Sequence, residues 1–86
     1  MFRDIHIEKE HRFSIGIDQE TGKYYLSIPV ANQMVDYEEY YFIDKQLVES
    51  FPSNLEEILV LVSKCRNREN DTALIHKPGR DRGVAS

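Results

Sequence analysis

The chain has 86 residues, of which 41% are hydrophobic and 30% are charged, and its net charge is −4. This length excludes a second independent core, and the composition is that of a folded domain rather than a disordered chain. Cys65 is the one cysteine, so an internal disulfide is excluded, and we expect a reducing compartment. The charged N-terminus shows no signal-peptide pattern, and no apolar run is long enough to span a membrane. The sequence therefore predicts a cytoplasmic domain.

The charges divide the chain into an acidic and a basic part. Residues 31–62 hold seven acids against Lys45 alone, a local balance of −6. Residues 63–86 hold six Lys and Arg against three acids, a local balance of +3. Such polarity can steer a charged partner, although charged surfaces on small domains also serve solubility alone.

Two strands are predicted in the first third of the chain. Phe13, Ile15 and Ile17 alternate with polar or small residues, the period of a half-buried strand. A polar loop follows, in which Gly22 can adopt the positive φ of a tight hairpin. The run Tyr24–Val30 alternates in the same way and predicts the second strand.

The segment DYEEYYF, Asp36–Phe42, predicts a third strand with two alternative registers. In a regular strand one face carries a single carboxylate, Glu39, among the apolar residues Val35, Tyr37, Tyr41 and Ile43. A β-bulge at Glu38-Glu39 would instead bring Val35, Tyr37, Tyr40 and Phe42 to one side. The regular strand is favoured, because it loses only one apolar position.

Two helices follow. Asp44 can cap a short helix that ends before Pro52. Ser53 and Glu56 match a capping box, which predicts a main helix over residues 53–69. Its buried stripe comprises Leu55, Ile58, Leu59, Val62 and Cys65.

The remaining segments are short. Ala73–Ile75 can form a strand, and residues 77–80 have the composition of a type II turn. Together the elements predict an α+β domain over residues 1–75, in which an antiparallel meander of three to four strands, with Ile5–Ile7 as the extra strand, packs against the main C-terminal helix. Residues 76–86 are predicted to be a basic, flexible tail.

The tyrosines and acids of the sheet predict a protein-binding surface. Five tyrosines lie on two neighbouring strands, and alternation directs some of them away from the core. Exposed tyrosine is a residue type that protein interfaces favour, whereas rings packed only across strands are the alternative. The predicted interaction residues are Tyr25, Tyr37, Glu38, Glu39, Tyr40 and Tyr41.

The C-terminal part of the chain carries candidate anion-binding residues. The basic residues Arg66, Arg68, Lys77, Arg80 and Arg82 can bind an anion, but no motif of a nucleic-acid-binding module accompanies them.

Glu39 as a general acid has no histidine or lysine nearby in sequence, and Cys65, which as a nucleophile would need a base such as His76, lies on an apolar stripe. The segment His6–His11 offers two imidazoles and two carboxylates to a metal ion, but His6 and His11 are five residues apart, which does not place them on one face of a strand or helix. We therefore expect no catalytic residue, no metal and no cofactor.

The segments SIGID, GKYYLSIPV, VDYEEYYFID and PGRDRG resemble a group of small bacterial proteins of unknown function. The resemblance implies a bacterial, cytoplasmic protein and supplies no activity. From the residues we expect a non-enzymatic protein-interaction module that binds another protein or a second copy of itself. The alternatives are an acidic inhibitor that covers a basic partner and an anion or nucleic-acid binder.

Overall fold

The four long strands of the sheet follow one another in chain order. A computed structural model describes residues 1–32, 35–76 and 82–85. The antiparallel order is β1-β2-β3-β4, and a fifth short strand pairs with β3. The elements are β1 (Phe2–Glu8), β2 (Phe13–Asp18), β3 (Tyr24–Ala31), β4 (Asp36–Phe42), α1 (Lys45–Ser50), α2 (Leu55–Arg66), a 3-10 turn (Asp71–Ala73) and β5 (Val84–Ala85). The predicted α+β class is confirmed.

The core lies between one face of this sheet and α2. Ile15, Leu26 and Ile28 are fully buried on the sheet side, and Ile58 and Val62 are buried on the helix side. Burial of apolar surface on both sides supplies most of the stabilisation of such a two-layer arrangement. We call this side of the sheet the helix face and the other side the second face.

β4 is a regular strand. It pairs with β3 from Tyr25 opposite Phe42 to Ala31 opposite Asp36 without a register shift, so the favoured alternative is confirmed. A register shift occurs instead in β1, between Asp4 and His6.

Both helices occur where they were predicted, but their ends differ from the prediction. α1 begins after Asp44, whose side chain makes no capping hydrogen bond, and α2 spans Leu55–Arg66 rather than residues 53–69, beginning after Asn54. The Ser53 hydroxyl donates to the carbonyl of Ser50, at 2.6 Å, so the predicted capping box is wrong. In the described part of the chain, no helix is long and apolar enough to cross a membrane.

The C-terminal region differs from the prediction. Instead of a strand at Ala73–Ile75, Leu74 forms a single bridge with Tyr41 of β4 after the 3-10 turn. Within the predicted tail, residues 76–86, β5 pairs with the end of β3 that extends beyond β2, and the flexibility of the segment stays a prediction. The predicted turn at residues 77–80 lies outside the described residues.

The second face is strongly curved. The rings of Phe2 in β1 and Tyr40 in β4 stack at 3.9 Å, although two strands separate β1 from β4 in the sheet. Tyr25 of β3 lies at 5.3 Å from Phe2 and 5.0 Å from Tyr40. Gly16 of β2 allows this closure, because a Cβ there would overlap the carbonyl of Arg3 and the ring of Tyr25.

Candidate functional site: the open edge of the sheet

The outer edge of β1 is unpaired within the described residues. β1 pairs with β2 only and ends the strand order. Two of its isoleucines are exposed, Ile5 at 47% and Ile7 at 65% of their surface. Exposed apolar side chains beside unpaired backbone donors and acceptors are what a second strand would need for pairing.

The surface continues from this edge onto the second face. Ile7 borders a depression of about 250 Å³ that is also lined by Ser14, Pro29 and Glu38. It is open to solvent and combines apolar with polar groups. A side chain of a partner at the β1 edge could enter it.

The opposite edge of the sheet is partly covered. Leu74 bridges to Tyr41, and the backbone N–H of Ile75 donates to the carbonyl of Tyr40 at 2.9 Å. The C-terminal part of β4, at Tyr40 and Tyr41, is therefore paired on its outer side, which distinguishes it from β1.

Two of the predicted interaction tyrosines are not exposed. Tyr25 and Tyr41 are fully buried, and their prediction as part of an exposed surface is wrong. Tyr41 points to the helix face, whereas Tyr25 is covered on the second face by Phe2 and Tyr40. Curvature of the second face, which alternation alone does not reveal, accounts for the burial of Tyr25.

The other predicted residues are divided between surface and interior. Glu38 is exposed, and Tyr37 and Tyr40 are half-buried. Glu39 is 93% buried and therefore belongs to the interior. A continuous surface of tyrosines and acids does not form.

The second face holds a group of interacting polar residues around Tyr25. The hydroxyl of Tyr25 donates to Asp4 Oδ1 at 2.5 Å, and the hydroxyl of Ser27 donates to Glu38 Oε1 at 3.2 Å. Burial and the bond to Asp4 raise the pKa of Tyr25 well above its usual value, and burial also raises the pKa of Tyr40 and of Glu38. The Tyr25–Asp4 bond joins β3 to β1 across this face.

Glu39 is neutralised by Arg82, which lies in the predicted C-terminal tail. Arg82 Nε donates to Glu39 Oε2 at 2.7 Å, and the other nitrogens of this guanidinium reach Asp71 at 2.8 and 2.9 Å. The hydroxyl of Tyr41 donates to Glu39 Oε1 at 2.8 Å. The bonds to Asp71 and Glu39 raise the pKa of Arg82, and the bond from Arg82 lowers the pKa of Asp71.

This ion pair explains the single carboxylate that β4 carries on its helix face. A buried carboxylate needs a charged partner and hydrogen bonds, and Arg82 with Tyr41 supplies them. The position of Glu39 among apolar residues was the sequence signal that a cation had to lie nearby. Glu39 is therefore a structural residue in this arrangement.

The predicted anion-binding residues do not act as one group in the described structure. Arg66 donates to the carbonyl of His11 at 2.5 Å, and Arg68 donates to the carbonyl of Gly83 at 3.0 Å. Arg82 is engaged by two carboxylates, and Lys77 and Arg80 lie outside the described residues. Anion binding by these residues stays a prediction.

Cys65 lies in the core, as expected from its place on the apolar stripe. It is 1% exposed, and burial raises the pKa of its thiol to about 11. The thiolate that a nucleophile requires is therefore disfavoured near neutral pH.

The protein is thus an α+β domain with a four-stranded meander, in which no described residue pairs with the outer edge of β1. Comparisons with family models, with curated proteins and with solved structures find no match. The resemblance to small bacterial proteins stays a prediction.

Proposed function

We propose that this protein is a non-enzymatic interaction module that pairs with a second copy of itself through the edge of β1. Two copies would share one antiparallel sheet of eight long strands. The observation that carries the proposal is the unpaired edge with its exposed Ile5 and Ile7. Pairing would satisfy the backbone groups of this edge and bury both isoleucines.

The charges of β1 favour a copy of the same strand as its partner. Arg3 lies opposite Ile17 and Glu8 lies opposite Phe13, so Arg3 and Glu8 share the helix face. They share it because the register shift in β1 adds one residue between them.

Two antiparallel copies of β1 can pair in a register that brings these opposite charges together at two places. In this register Arg3 of each copy faces Glu8 of the other, and Asp4 of each copy faces Ile7 of the other. A shift by one residue would place Arg3 opposite Lys9 and Asp4 opposite Glu8, which is repulsive. The charges therefore favour one register over its neighbour.

Size-exclusion chromatography with light scattering, together with sedimentation equilibrium, tests this proposal. The wild-type chain of 10.1 kDa is expected at twice that mass. The double variant Ile5→Lys/Ile7→Lys is expected at the monomer mass, because two lysines would be brought into the interface of each copy.

The matched control is Val60→Lys on α2. Val60 is an apolar residue with 59% exposure, and its replacement is expected to leave the dimer intact. Circular dichroism checks that each variant is folded. A wild-type chain that remains monomeric at about 100 μM, or a dimer that the double variant retains, would contradict the proposal.

A second candidate function has support in the surface charge. Six acids between residues 36 and 57 are exposed, against the exposed Lys45. They are Asp36, Glu38, Asp44, Glu49, Glu56 and Glu57. Such a surface fits a basic protein that the chain would cover as an inhibitor.

Salt separates the two candidates. A complex with a basic partner should weaken steeply as the salt concentration rises, whereas the dimer, which buries two isoleucines from each copy and contains only two Arg3–Glu8 pairs, should weaken much less. Capture of basic proteins from lysate at low salt by both the wild-type chain and Ile5→Lys/Ile7→Lys would favour the second candidate.

The proposed location is the cytoplasm. It is supported by the single thiol, Cys65, which is buried and unpaired. Fractionation of cells that produce the protein, with immunodetection of each fraction, tests this location.

A further inference from the structure

The turn between β1 and β2 brings together three side chains that can coordinate a metal. Glu8 ends β1, and the chain reverses over the next four residues, where Arg12 has a positive φ of 57°. One ligand atom from each of Glu8, Glu10 and His11 lies within 4.8 Å of the others. Within the described ranges this is the one group of three or more such residues.

The separation of two of these atoms fits a shared ion. Two ligand atoms at about 2.1 Å from Zn²⁺, meeting at a tetrahedral angle, lie about 3.4 Å apart. Glu8 Oε1 and His11 Nδ1 are 3.5 Å apart. Little movement of these two groups would be needed to bind an ion between them.

The carboxylate of Glu10 must move further to reach the same ion, and its side chain is free to rotate. Glu10 is exposed, while its backbone N–H donates to Glu8 Oε1 at 3.0 Å and so ties the turn to the end of β1. Rotation of an exposed glutamate side chain costs little more than rotamer entropy. The carboxylate can therefore move onto an ion held by Glu8 and His11.

His11 contributes a ring nitrogen that lacks a hydrogen-bond partner. Its Nδ1 atom is shielded from solvent and makes no hydrogen bond, despite the nearby carboxylate of Glu8. A polar atom left in this state costs free energy, and an imidazole nitrogen is a preferred ligand of transition metals. Coordination would satisfy this atom.

The backbone of His11 is also held in place by its surroundings. Arg66 of α2 donates to the carbonyl of His11, so the turn is fixed against the helix. An open depression of about 310 Å³, lined by Glu10, His11 and Ser63 among others, borders the group. Water has access there to complete the coordination of an ion.

We propose that Glu8, Glu10 and His11 form a site for one divalent transition-metal ion, such as Zn²⁺, with water as the remaining ligand. One imidazole nitrogen and two carboxylates suit Zn²⁺, Co²⁺ and Ni²⁺. Mg²⁺ and Ca²⁺ prefer oxygen ligands alone and should not compete. His6, which the sequence analysis weighed as a ligand, lies elsewhere, with its ring 5.0 Å from that of Phe51.

Titration calorimetry with Zn²⁺ and visible absorption with Co²⁺ test the site on the full chain. One ion per chain is expected, together with the absorption bands of four-coordinate Co²⁺. His11→Ala should weaken binding at least tenfold, and Glu10→Gln should weaken it less. A tenfold excess of Mg²⁺ should leave the Zn²⁺ isotherm unchanged.

The matched control is His76→Ala, which removes an exposed histidine outside the group. It should bind Zn²⁺ as the wild type does. Absence of Zn²⁺ heat and of Co²⁺ bands in the wild type, or unchanged binding in His11→Ala, would overturn the proposal.

The site and the proposed dimer can fail separately. His11→Ala and Glu10→Gln leave Ile5, Ile7 and the facing pair Arg3 and Glu8 unchanged. The dimer is measured in the presence of a chelator, so its outcome does not depend on metal.

Discussion

The two edges of the sheet differ in how the chain protects them. At β4, Leu74 and Ile75 pair with the outer side of the strand, and Arg82 neutralises the buried acid of that strand, Glu39. At β1, none of the described residues pairs with the outer edge of the strand. A register shift and charged side chains are what limits its pairing with other strands. A covered edge is part of the fold, whereas an edge guarded by charge remains available to a partner of matching charge.

The largest expected effect follows from removing the cation at the covered edge. Arg82→Ala leaves Glu39, which is 93% buried, without its partner, and should lower the free energy of unfolding by about 3–5 kcal/mol. Urea denaturation measures the change. Lys64→Ala, which removes an exposed cation of α2, should change stability by less than about 0.5 kcal/mol.

A double replacement sharpens this prediction. Arg82→Met with Glu39→Leu removes both charges and should recover most of the lost stability. A double variant as unstable as Arg82→Ala would show that packing, rather than the unpaired charge, causes the loss.

The next effect concerns the closure of β1 over the second face. Gly16→Ala would place a methyl group against the carbonyl of Arg3 and the ring of Tyr25, and it should cost about 1–3 kcal/mol. Urea denaturation measures this cost. Gly22→Ala is a useful contrast, because its loop has open space and only the positive φ of 74° opposes the methyl group. Equal stability of Gly16→Ala and wild type would refute the close approach of Tyr25.

A smaller effect is expected at the open edge. Arg3→Glu makes both facing pairs of the proposed dimer repulsive, and it should raise the dissociation constant about tenfold. Arg3→Glu with Glu8→Arg should restore the wild-type value, as measured by sedimentation with a chelator present. Failure of the double variant to restore pairing would argue against this register.

The smallest expected effect is a loss of folding stability through Tyr25, which occurs only at high pH. The pKa of Tyr25 is raised in the folded protein above the value of about 10 in the unfolded chain. Tyr25 therefore contributes stability that is complete below pH 10 and is lost as the pH rises above it.

Urea denaturation between pH 8 and about 11 measures this loss, and Tyr25→Phe should show a shallower decline. Tyr24→Phe is the matched control, because Tyr24 is a half-buried tyrosine of the same strand. The same decline in wild type and Tyr25→Phe would contradict the raised pKa of Tyr25.

The sequence predicted the parts of the fold that rest on local periodicity. The alternation in β2, β3 and β4 and the apolar stripe of α2 each reflect burial against one neighbouring layer. The class, the strand order and the regular register of β4 follow from these patterns.

Contacts between distant residues were not predictable in the same way. The partner of Glu39 is 43 residues further along the chain, in a segment whose composition indicates a tail. The burial of Tyr25 depends on Phe2 and on the small size of Gly16, neither of which alternation reports. The carboxylates and the imidazole of the β1–β2 turn meet because the chain reverses directly after β1, where the backbone N–H of Glu10 donates to Glu8 Oε1.

The distance in sequence between Glu39 and Arg82 also bears on biosynthesis. A chain is made from its N-terminus, and segments begin to fold as they leave the ribosome. The meander and both helices precede residue 82 in the chain, so Glu39 has no charged partner until Arg82 has been made. Closing the core earlier would leave this carboxylate buried and unpaired, so we expect completion of the fold to depend on docking of this later segment.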